Sequence, residues 1–486
     1  MFVGIDIGTT SVKSVLMGED GALHASASSL VPVSRPRVGW SEQDPEHWWT
    51  AVCDTLAALG TAEPRRMAAV AGIGLSGHMH GATLLGADDA VLRPAILWND
   101  GRAAAECAEI EAACPDARAL TGNIAMPGFT APKLAWVRKH EPDTFAKIRK
   151  VLLPKDYVRL KLTGGYASDM SDSAGTYWLD VGARRWSDAL LAATGLDRSQ
   201  MPDLYEGTEA TGRLRDALSA RFGMERAPVV AGGAGDNAAS ACGIGAVTPG
   251  AAFLSLGTSG VLFVSNARFS PNTGGAVHAF CHALPDTWHQ MGVILSATDS
   301  LNWFARLLGA PAPTLTAALG ETVSRPSPAL FMPYLSGERT PLNDAGARGG
   351  FLGLDQTSSR EDLTQAVLEG VAFAFRDCLR VLADAGTEVE RAFAVGGGAN
   401  SPVWLSIMAS VLDRPLDVSA AADIGAAYGA ARLGQAAATG ARNSAALMPP
   451  PPVARTVVPE PALARAYAER YGRYRELYAS CAHAAD

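Results

Sequence analysis

The sequence predicts an α/β protein with two large domains. Its 486 residues are too many for one ordinary hydrophobic core and suit two domains of roughly 100 to 250 residues each. Short apolar, β-prone runs alternate with helix-like segments, as expected of α/β layers. One strand, turn and strand pattern also occurs twice, about half a chain apart, which indicates an internal duplication.

The first 30 residues are predicted to form a β-meander. Residues 2–7 and 11–17 are apolar and β-prone, and a tight turn of Gly and Thr at 8–10 separates them. A second turn at 19–21 leads to a third strand. Further along the chain, 70–77 has the composition of a strand.

The second half of the chain repeats this opening. Residues 251–265 (AAFLSLGTSGVLFVS) again read as a strand, a Gly-Thr-Ser turn and a strand. Residues 361–384 place their apolar side chains on one helical face, with acidic residues in the first turn. A glycine cluster at 396–401 then follows a strand, and Ser401 is a candidate N-cap for the next helix.

The C-terminal part is predicted to be a linker and a helix. Residues 435–460 are rich in Ala, Pro and small polar residues, and Pro449 to Pro452 cannot continue a helix. Residues 462–483 are typical of an amphipathic helix. The boundary between the two large domains is expected near residue 245.

Composition excludes several classes of protein. A net charge of -8 without a clustered Lys/Arg face argues against nucleic-acid binding. The seven cysteines are scattered and form no CxxC pair, which argues against a disulfide framework or a zinc knuckle. The N-terminus lacks a basic signal region, and no run of about 18 apolar residues occurs. We therefore expect a cytoplasmic protein with no membrane segment.

The two Gly-Thr turns are candidate phosphate-binding loops. Turns of this kind offer backbone N–H groups and hydroxyls that bind phosphate oxygens without many cations. Neither turn is a Walker A loop, and the spacing of a dinucleotide-binding site is missing, so nicotinamide chemistry is disfavoured. A tight hairpin turn without a ligand is the alternative for either turn alone. The candidate residues are Gly8, Thr9, Thr10, Gly257, Thr258 and Ser259.

The third glycine cluster is a candidate platform for a nucleotide base. Gly397 and Gly398 let a flat ring lie directly against the backbone, and Asn400 adds an amide beside them. An ordinary turn from strand to helix is the alternative interpretation.

Two carboxylates, Asp6 and Asp236, follow apolar stretches and stand in turns of small residues. Phosphoryl transfer needs one carboxylate to deprotonate a hydroxyl and another to hold Mg²⁺, directly or through water. An ordinary backbone cap is the alternative for either Asp alone.

Two further stretches suit sugar recognition. In SGHMHG (76–81), His78 and His80 are predicted to lie on the same side of an extended chain, with Met79 between them. No third ligand with zinc spacing is evident, so hydroxyl recognition is favoured over metal binding. In ILWNDGR (96–102), the Trp98 ring is a candidate wall for a polyol. A polar turn and a core tryptophan are the respective alternatives.

Together these stretches resemble the FGGY carbohydrate kinases of the actin-like ATPase superfamily. The two family signatures are legible around GFTAPKLAWVRKH (128–140) and GGFLGLDQTSSREDLTQAVLE (349–369). The resemblance runs from GIDIGTTSVK to GAAYGAARLG (425–434). PYLSGERTP (333–341) is a further family marker, for which we expect only an ion pair between Glu338 and Arg339 that shapes the cleft.

The resemblance implies two actin-like, ribonuclease H-like domains with a central cleft. Residues 1–245 would bind sugar, 246–434 would bind nucleotide, and 435–486 would be linker and terminal helix. The implied reaction is ATP-dependent phosphorylation of a ketose. D-xylulose is the first candidate, and ribulose, arabinitol and 1-deoxyxylulose are the alternatives. The implied ligands are the sugar, ATP and Mg²⁺, and the family makes a homodimer plausible.

The resemblance also assigns roles to residues. Asp236 corresponds to the catalytic base, with Asn237 as a substrate contact beside it. Met79 and His80 match a pair that lines the sugar site, and Asp6 matches the carboxylate at the metal. The two Gly-Thr turns match the phosphate motifs, and Gly397, Gly398 and Asn400 match the adenosine motif.

Overall fold

Two seven-stranded mixed sheets organise the chain, one in each lobe. The computed structural model describes residues 1–421, 425–441 and 443–481. The predicted pair of α/β lobes is thereby confirmed. The strands of the first lobe are β1 (Phe2–Ile7), β2 (Ser11–Met17), β3 (Leu23–Leu30), β4 (Glu42–Gln43), β5 (Gly72–Gly77), β6 (Thr83–Leu85), β7 (Ala95–Ile96), β8 (Lys150–Leu152), β9 (Ala167–Asp169), β10 (Leu179–Asp180), β11 (Arg185–Trp186), β12 (Asp203–Tyr205), β13 (Ala210–Arg213), β14 (Val229–Ala231) and β15 (Ala234–Gly235).

The helices of the first lobe lie between these strands and lead into the second lobe. They are α1 (Pro45–Ala62), α2 (Pro64–Ala68), α3 (Ala104–Ala113), α4 (Ala117–Thr121), α5 (Thr130–His140), α6 (Pro142–Phe145), α7 (Pro154–Thr163), α8 (Met170–Ala174), α9 (Asp188–Thr194), α10 (Asp216–Arg221) and α11 (Asp236–Ile244). Local chemistry sets several of their ends. Asp44 caps α1 by accepting the N–H of Glu46 at 3.0 Å.

The second lobe repeats the plan of the first. Its strands are β16 (Ala252–Leu256), β17 (Gly260–Asn266), β18 (His278–Cys281), β19 (Trp288–Ile294), β20 (Leu330–Met332), β21 (Gly350–Leu352), β22 (Ala392–Val395), β23 (Leu416–Ser419) and β24 (Val453–Val457). Its sequence supplies the helices α12 (Thr298–Leu308), α13 (Ala312–Ala317), α14 (Arg360–Asp384), α15 (Pro402–Leu412), α16 (Ala426–Thr439) and α17 (Pro461–Cys481). Ser401 caps α15 as predicted, because its side chain accepts the N–H of Trp404.

The two main sheets share one strand order. In the first, the antiparallel meander β3, β2, β1 continues through the parallel strands β5 and β14. In the second, β19, β17 and β16 continue through the parallel strands β22 and β23. The order agrees with the duplication that the sequence indicates. It also brings the turns after β1 and β16 to corresponding places in the two lobes.

Helix α16 belongs to the second half of the sequence but packs on the first sheet. It lies across β1 and β5 and alongside α11. Glycines allow this contact: a Cβ on Gly4 would lie 1.9 Å from the carbonyl oxygen of Ala427, and one on Gly74 would lie 1.8 Å from that of Ala430. The backbones of helix and sheet therefore touch directly.

The segment predicted as a linker, 435–460, is largely ordered structure instead. Its first residues complete helix α16, and residues 453–457 form β24, which pairs antiparallel with β23. Small side chains gave the segment a loop-like composition, yet here they serve close helix packing and an edge strand. The prediction of a linker was wrong for 435–439 and 453–457, and it stays a prediction for the rest of the segment.

The predicted terminal helix is confirmed as α17, and it is part of the second lobe's core. Tyr467 and Tyr474 are almost fully buried against α14 and the strand β20. The Tyr467 hydroxyl donates to Glu369 of α14 at 2.9 Å. The last two residues of the predicted helix, 482–483, lie outside the described residues.

The lobes also meet along the outer strand β18. Asn123 of the first lobe donates to the carbonyl of Ala279 at 2.9 Å, and Trp288 donates to the carbonyl of Val181 at 2.9 Å. One apolar cluster runs across this junction, from Trp178 of the first lobe to Phe280 of the second. The second lobe therefore forms one wall of the region between the lobes.

Candidate active site

Asp236 stands in the first turn of α11, where the chain leaves β15. Its Oδ1 accepts the backbone N–H of Asn237 at 2.7 Å and the side-chain Nδ2–H at 2.9 Å. The N-cap position belongs to Gly235, so the Asp236 side chain is not needed as a conventional cap. Burial, and after it the negative charge of Asp6, raise the pKa of Asp236 to about 7. A carboxyl with this pKa can take up a proton near neutral pH.

Two buried side chains hold the loop that carries Asp236. Arg159 donates from one guanidinium nitrogen to the carbonyl of Ala231 and from the other to that of Gly232, at 2.5 Å. The next support is Ser171, whose Oγ accepts the N–H of Gly235 at 3.1 Å. Both side chains are fully buried. The backbone before Asp236 is therefore held by side chains on two other elements, α7 and α8.

An ion cluster lies directly behind that loop. The buried ammonium of Lys155 is within 3.2 Å of a carboxylate oxygen from each of Asp156, Asp169 and Asp172. Asp169 in turn accepts a hydrogen bond from the Ser171 hydroxyl. Charges this deeply buried are stable only when paired, so the cluster is a rigid base for the loop.

Met79 packs against the loop that carries Asp236, and His80 follows Met79 in the chain. A Cβ on Gly235 would lie 2.9 Å from the Met79 side chain. His80 donates from Nδ1 to the carbonyl of Gly175 at 2.6 Å, and its ring packs 4.8 Å from that of Phe129. Burial lowers the pKa of His80 to about 3. The ring is therefore neutral, and Nε2 is left as a hydrogen-bond acceptor.

The prediction that His78 and His80 share one side of an extended chain was wrong. Strand β5 ends at Gly77, and His80 adopts a left-handed backbone with φ of 71°. This turn sends the two rings in different directions. His78 is buried edge-on against Trp48, with ring centroids 5.4 Å apart, whereas His80 is half-buried.

Asp6, Thr9 and Trp98 gather at the end of β1. Asp6 Oδ1 accepts the Ser76 hydroxyl at 2.9 Å, and burial raises the pKa of Asp6. The Trp98 ring is 42% exposed, so it is not a core residue, and its Nε1–H donates to Thr9 Oγ1 at 3.0 Å. The predicted polyol wall and the first Gly-Thr turn therefore touch each other. Gly8 and Thr10 complete that turn, which the N–H of Gly8 closes onto Ser11.

The second Gly-Thr turn is anchored by its carbonyl groups. Gly257 accepts the N–H and the hydroxyl of Thr298, at 2.9 and 2.8 Å, and Thr258 accepts the N–H of Ala297 at 2.8 Å. The N–H groups of Gly257, Thr258 and Ser259 donate to no acceptor in the described part of the chain. Free N–H groups at a fixed turn are the donors that a phosphate group needs.

A groove of about 480 Å³ opens beside this turn. Gly397, Gly398 and Asn400 line it, from the short turn between β22 and α15. Thr298, which anchors the second Gly-Thr turn, lines it too, so groove and turn are adjacent. The groove is mostly apolar, with Leu301 among its walls. Its size and lining suit the flat base of a nucleotide.

Sequence reasoning missed an aromatic wall that closes the sugar side. Phe129 and Tyr177 come from the first lobe, and His278 and Phe280 from β18 of the second. The motif PYLSGERTP was visible, but the only role expected for it was an ion pair that shapes the cleft. The expected ion pair between Glu338 and Arg339 is not formed. Glu338 instead accepts the main-chain N–H groups of Leu295 and Arg339, at 2.9 and 2.7 Å.

Comparison with known proteins agrees with this arrangement. The model of the FGGY family of carbohydrate kinases, N-terminal domain, matches residues 1–243, and the C-terminal-domain model of that family matches residues 252–438. The chain belongs to the FGGY family of carbohydrate kinases. As an FGGY kinase it is an enzyme that transfers phosphoryl groups to carbohydrate, and the family implies ATP as the donor.

Individual FGGY kinases are similar over the whole length. The xylulose kinase of Escherichia coli (strain K12) is 49% identical over 479 residues, 98% of each chain. The structure of a xyloylose kinase from Brucella ovis is 57% identical with a TM-score of 0.98, covering 100% of both chains. That of a xylulose kinase from Rhodospirillum rubrum is 32% identical with a TM-score of 0.91, covering 99% of this chain and 98% of that one. The predicted actin-like fold class is confirmed by these matches.

The FGGY kinase has no helix, among its described residues, that is long and apolar enough to cross a lipid bilayer.

Proposed function

We propose that this FGGY kinase transfers the γ-phosphoryl group of ATP to the terminal hydroxyl of D-xylulose, giving D-xylulose 5-phosphate and ADP. The observation that carries the proposal is the position of Asp236. Its carboxyl has a pKa raised to about 7, and the residue before it, Gly235, packs against the Met79 side chain. The similarity to several xylulose kinases supports D-xylulose as the acceptor.

In the proposed reaction Asp236 is the general base. Its carboxylate takes the proton from the terminal hydroxyl, whose oxygen attacks the γ-phosphorus in line. The bond from that phosphorus to the β,γ-bridging oxygen breaks, and ADP leaves. Asn237 holds the base in place through its two hydrogen bonds. His80 accepts a sugar hydroxyl at Nε2, because its Nδ1 already donates to Gly175.

The two Gly-Thr turns would hold the phosphates from opposite sides. The N–H groups of 257–259 lie next to the groove that suits adenine, and Thr9 presents its hydroxyl on the sugar side. Lobe closure around both substrates would exclude water from the γ-phosphoryl group. In this division residues 1–245 bind mainly sugar and 246–434 mainly nucleotide, and the described residues after 434 pack on both lobes.

Asp6 fits a role at Mg²⁺. Its Oδ1 accepts one hydrogen bond, from Ser76, while Oδ2 accepts none from the described residues. Mg²⁺ is commonly held by one or two carboxylates together with water and substrate phosphates. Bound there, the ion would neutralise charge on the phosphoryl oxygens.

The proposed reaction uses ATP, so we expect it to take place in the cytoplasm, and we expect the enzyme to be a homodimer. Light scattering of the purified chain tests the second expectation, and a single-chain mass would contradict it.

A panel of sugars tests the proposed substrate. ADP release is measured with D-xylulose, ribulose, arabinitol and 1-deoxyxylulose, and the product is quantified by phosphorus NMR. We expect the highest kcat/KM for D-xylulose, with one sugar phosphate formed per ADP. A higher value for another sugar would reassign the substrate. ADP release without sugar phosphate would instead indicate an actin-like ATPase that hydrolyses ATP without phosphorylating a sugar, such as a sugar sensor.

A variant tests the role of Asp236. Replacing the base, as in Asp236→Asn, should lower kcat by about 10²- to 10⁴-fold, while ATP still binds. Asp143→Asn is the matched control, since Asp143 is exposed on α6, and its kcat should match that of the parent chain. Near-normal turnover by Asp236→Asn would remove the proposed base.

A further inference from the structure

Arg339 brings a cation from the second lobe to the sugar side of the cleft. It lies in the segment between β20 and β21, and it is half-buried. Its Nη1 lies 3.3 Å from Nε2 of His278. No ion pair joins its guanidinium to a carboxylate of the described residues. A half-buried guanidinium with five donors and one neutral partner has donors left for a ligand.

The guanidinium is aimed by a chain of contacts that crosses between the lobes. Asn123 Oδ1 accepts the Nδ1–H of His278 at 3.0 Å, so Nε2 of that ring is the acceptor for Arg339. The His278 ring is buried and stacks on Phe280, with centroids 5.4 Å apart. Glu338 fixes the main chain, because its Oε1 accepts the N–H of Arg339. Both ends of the Arg339 residue are therefore held.

The same aromatic wall connects Arg339 to the residues near the proposed base. Phe129 packs against both His278, at 5.7 Å, and His80, at 4.8 Å, and His80 lies 6.4 Å from Phe280. Beyond His80 follow Met79 and the Asp236 loop. These contacts link the Asp236 loop, through Met79, His80 and the aromatic wall, to Arg339. A ketose with its terminal hydroxyl at Asp236 would lie along these contacts if its other end, C1 and C2, reaches Arg339.

We propose that Arg339 is a specificity-determining residue, which donates hydrogen bonds to the C2 carbonyl oxygen and the C1 hydroxyl oxygen of the ketose. The inference rests on the proposed function, because it takes the C5 hydroxyl as the acceptor. The planar donor fork of a guanidinium matches two neighbouring oxygens of a hydroxyketone. A substrate that lacks O1 leaves one of those donors unpaired, which costs binding in the transition state.

Two substrates separate this role from a structural one. kcat/KM is measured with D-xylulose and with 1-deoxy-D-xylulose, for the parent chain, Arg339→Met and Arg339→Lys. We expect the parent chain to prefer D-xylulose. Arg339→Met should lower kcat/KM for D-xylulose by about 10- to 100-fold and that for the deoxy sugar by much less, so the preference falls toward one. The KM for ATP should not change.

A purely structural role would lower kcat/KM equally for both sugars, and a preserved ratio would overturn the proposal. If Arg339→Met does not fold, Arg339→Lys decides. A lysine keeps the charge but offers no planar fork, so the ratio should still fall, and an unchanged ratio would again overturn the proposal. Failure of the parent chain to phosphorylate D-xylulose would instead contradict the proposed function, whatever the variants do.

Discussion

The pKa of the Asp236 carboxyl is determined by effects that oppose each other. Burial raises its pKa, and the nearby negative charge of Asp6 raises it further, whereas hydrogen bonds from Asn237 lower it. The balance leaves the group close to half-ionised at neutral pH. A base of this kind is ionised often enough to act and basic enough to accept a proton.

The pH dependence of the reaction follows from that balance. Asp236 must be ionised to accept the proton, so the active form is lost as the pH falls below about 7. We expect kcat/KM for the sugar to rise with pH through about 7 and to level off only above that value. Initial rates measured from pH 5 to 9, at saturating ATP, give this acid limb of the pH profile.

A variant gives the direction of the shift. Asn237→Ala removes the side-chain hydrogen bond that stabilises the ionised carboxylate, so the acid limb should move to higher pH. If the acid limb of the pH profile does not move in this variant, the ionisation that controls the rate is not that of Asp236.

The elements differ in how much of their position the sequence determines locally. The hairpins around 8–10 and 257–259 were predicted because a tight Gly-Thr turn between two apolar runs decides the geometry within a few residues. The cap at Ser401 is equally local. The left-handed turn at His80 and the place of Arg339 depend on contacts with distant elements, and no local pattern indicates them.

The position of helix α16 depends on glycines, because any side chain at those positions would block its contact with the first sheet. A Cβ on Gly74 would lie 1.8 Å from the Ala430 carbonyl oxygen, and backbone atoms cannot move aside as a side chain can. Gly74→Ala should therefore lower the free energy of unfolding by at least about 1–3 kcal/mol. Chemical denaturation measures the change.

A second glycine provides the matched control. Gly472 lies on the exposed side of α17, and a Cβ there would meet nothing within 4 Å. Gly472→Ala should stabilise the protein by about 0.5–1 kcal/mol through helix propensity. Equal effects of the two substitutions would contradict the backbone contact at α16.

Helix α17 is attached by hydroxyl groups as well as by apolar packing. Tyr467→Phe removes a donor from the buried carboxylate of Glu369, and it should cost about 1–3 kcal/mol of unfolding free energy. Tyr478→Phe removes a similar bond to Asp344, which is only half-buried. Water can replace that bond, so its loss should cost less than about 0.5 kcal/mol. Thermal unfolding of both variants compares the two, and a larger loss for Tyr478→Phe would contradict this ranking.

At the scale of the whole molecule, the chain passes between the lobes several times. It crosses from α11 to β16, returns from β23 to α16, and crosses again to β24. The sequence indicated two lobes through its length and its repeat, whereas the boundary near 245 stays a prediction. The return of α16 could not be read from composition, because its partners are hundreds of residues away. The sequence feature that could have indicated this contact is the presence of glycines in both the first sheet and helix α16.

The first lobe should therefore not be stable alone. A fragment of residues 1–245 lacks α16, so the surface of β1 and β5 around Gly4 and Gly74 is left uncovered. We expect rapid proteolysis of this fragment under conditions in which the full chain resists. Co-expression with residues 246–486 should restore resistance. A fragment that resists protease alone would show that α16 is dispensable.

This late return also sets a schedule for biosynthesis. The ribosome must add about 180 residues after the first lobe emerges before α16 follows, which takes roughly 10–35 s at ordinary rates of translation. During that interval the nascent first lobe exposes an unfinished face. Chaperones that bind nascent chains would have their longest opportunity there, and a slow codon stretch before residue 426 would lengthen it.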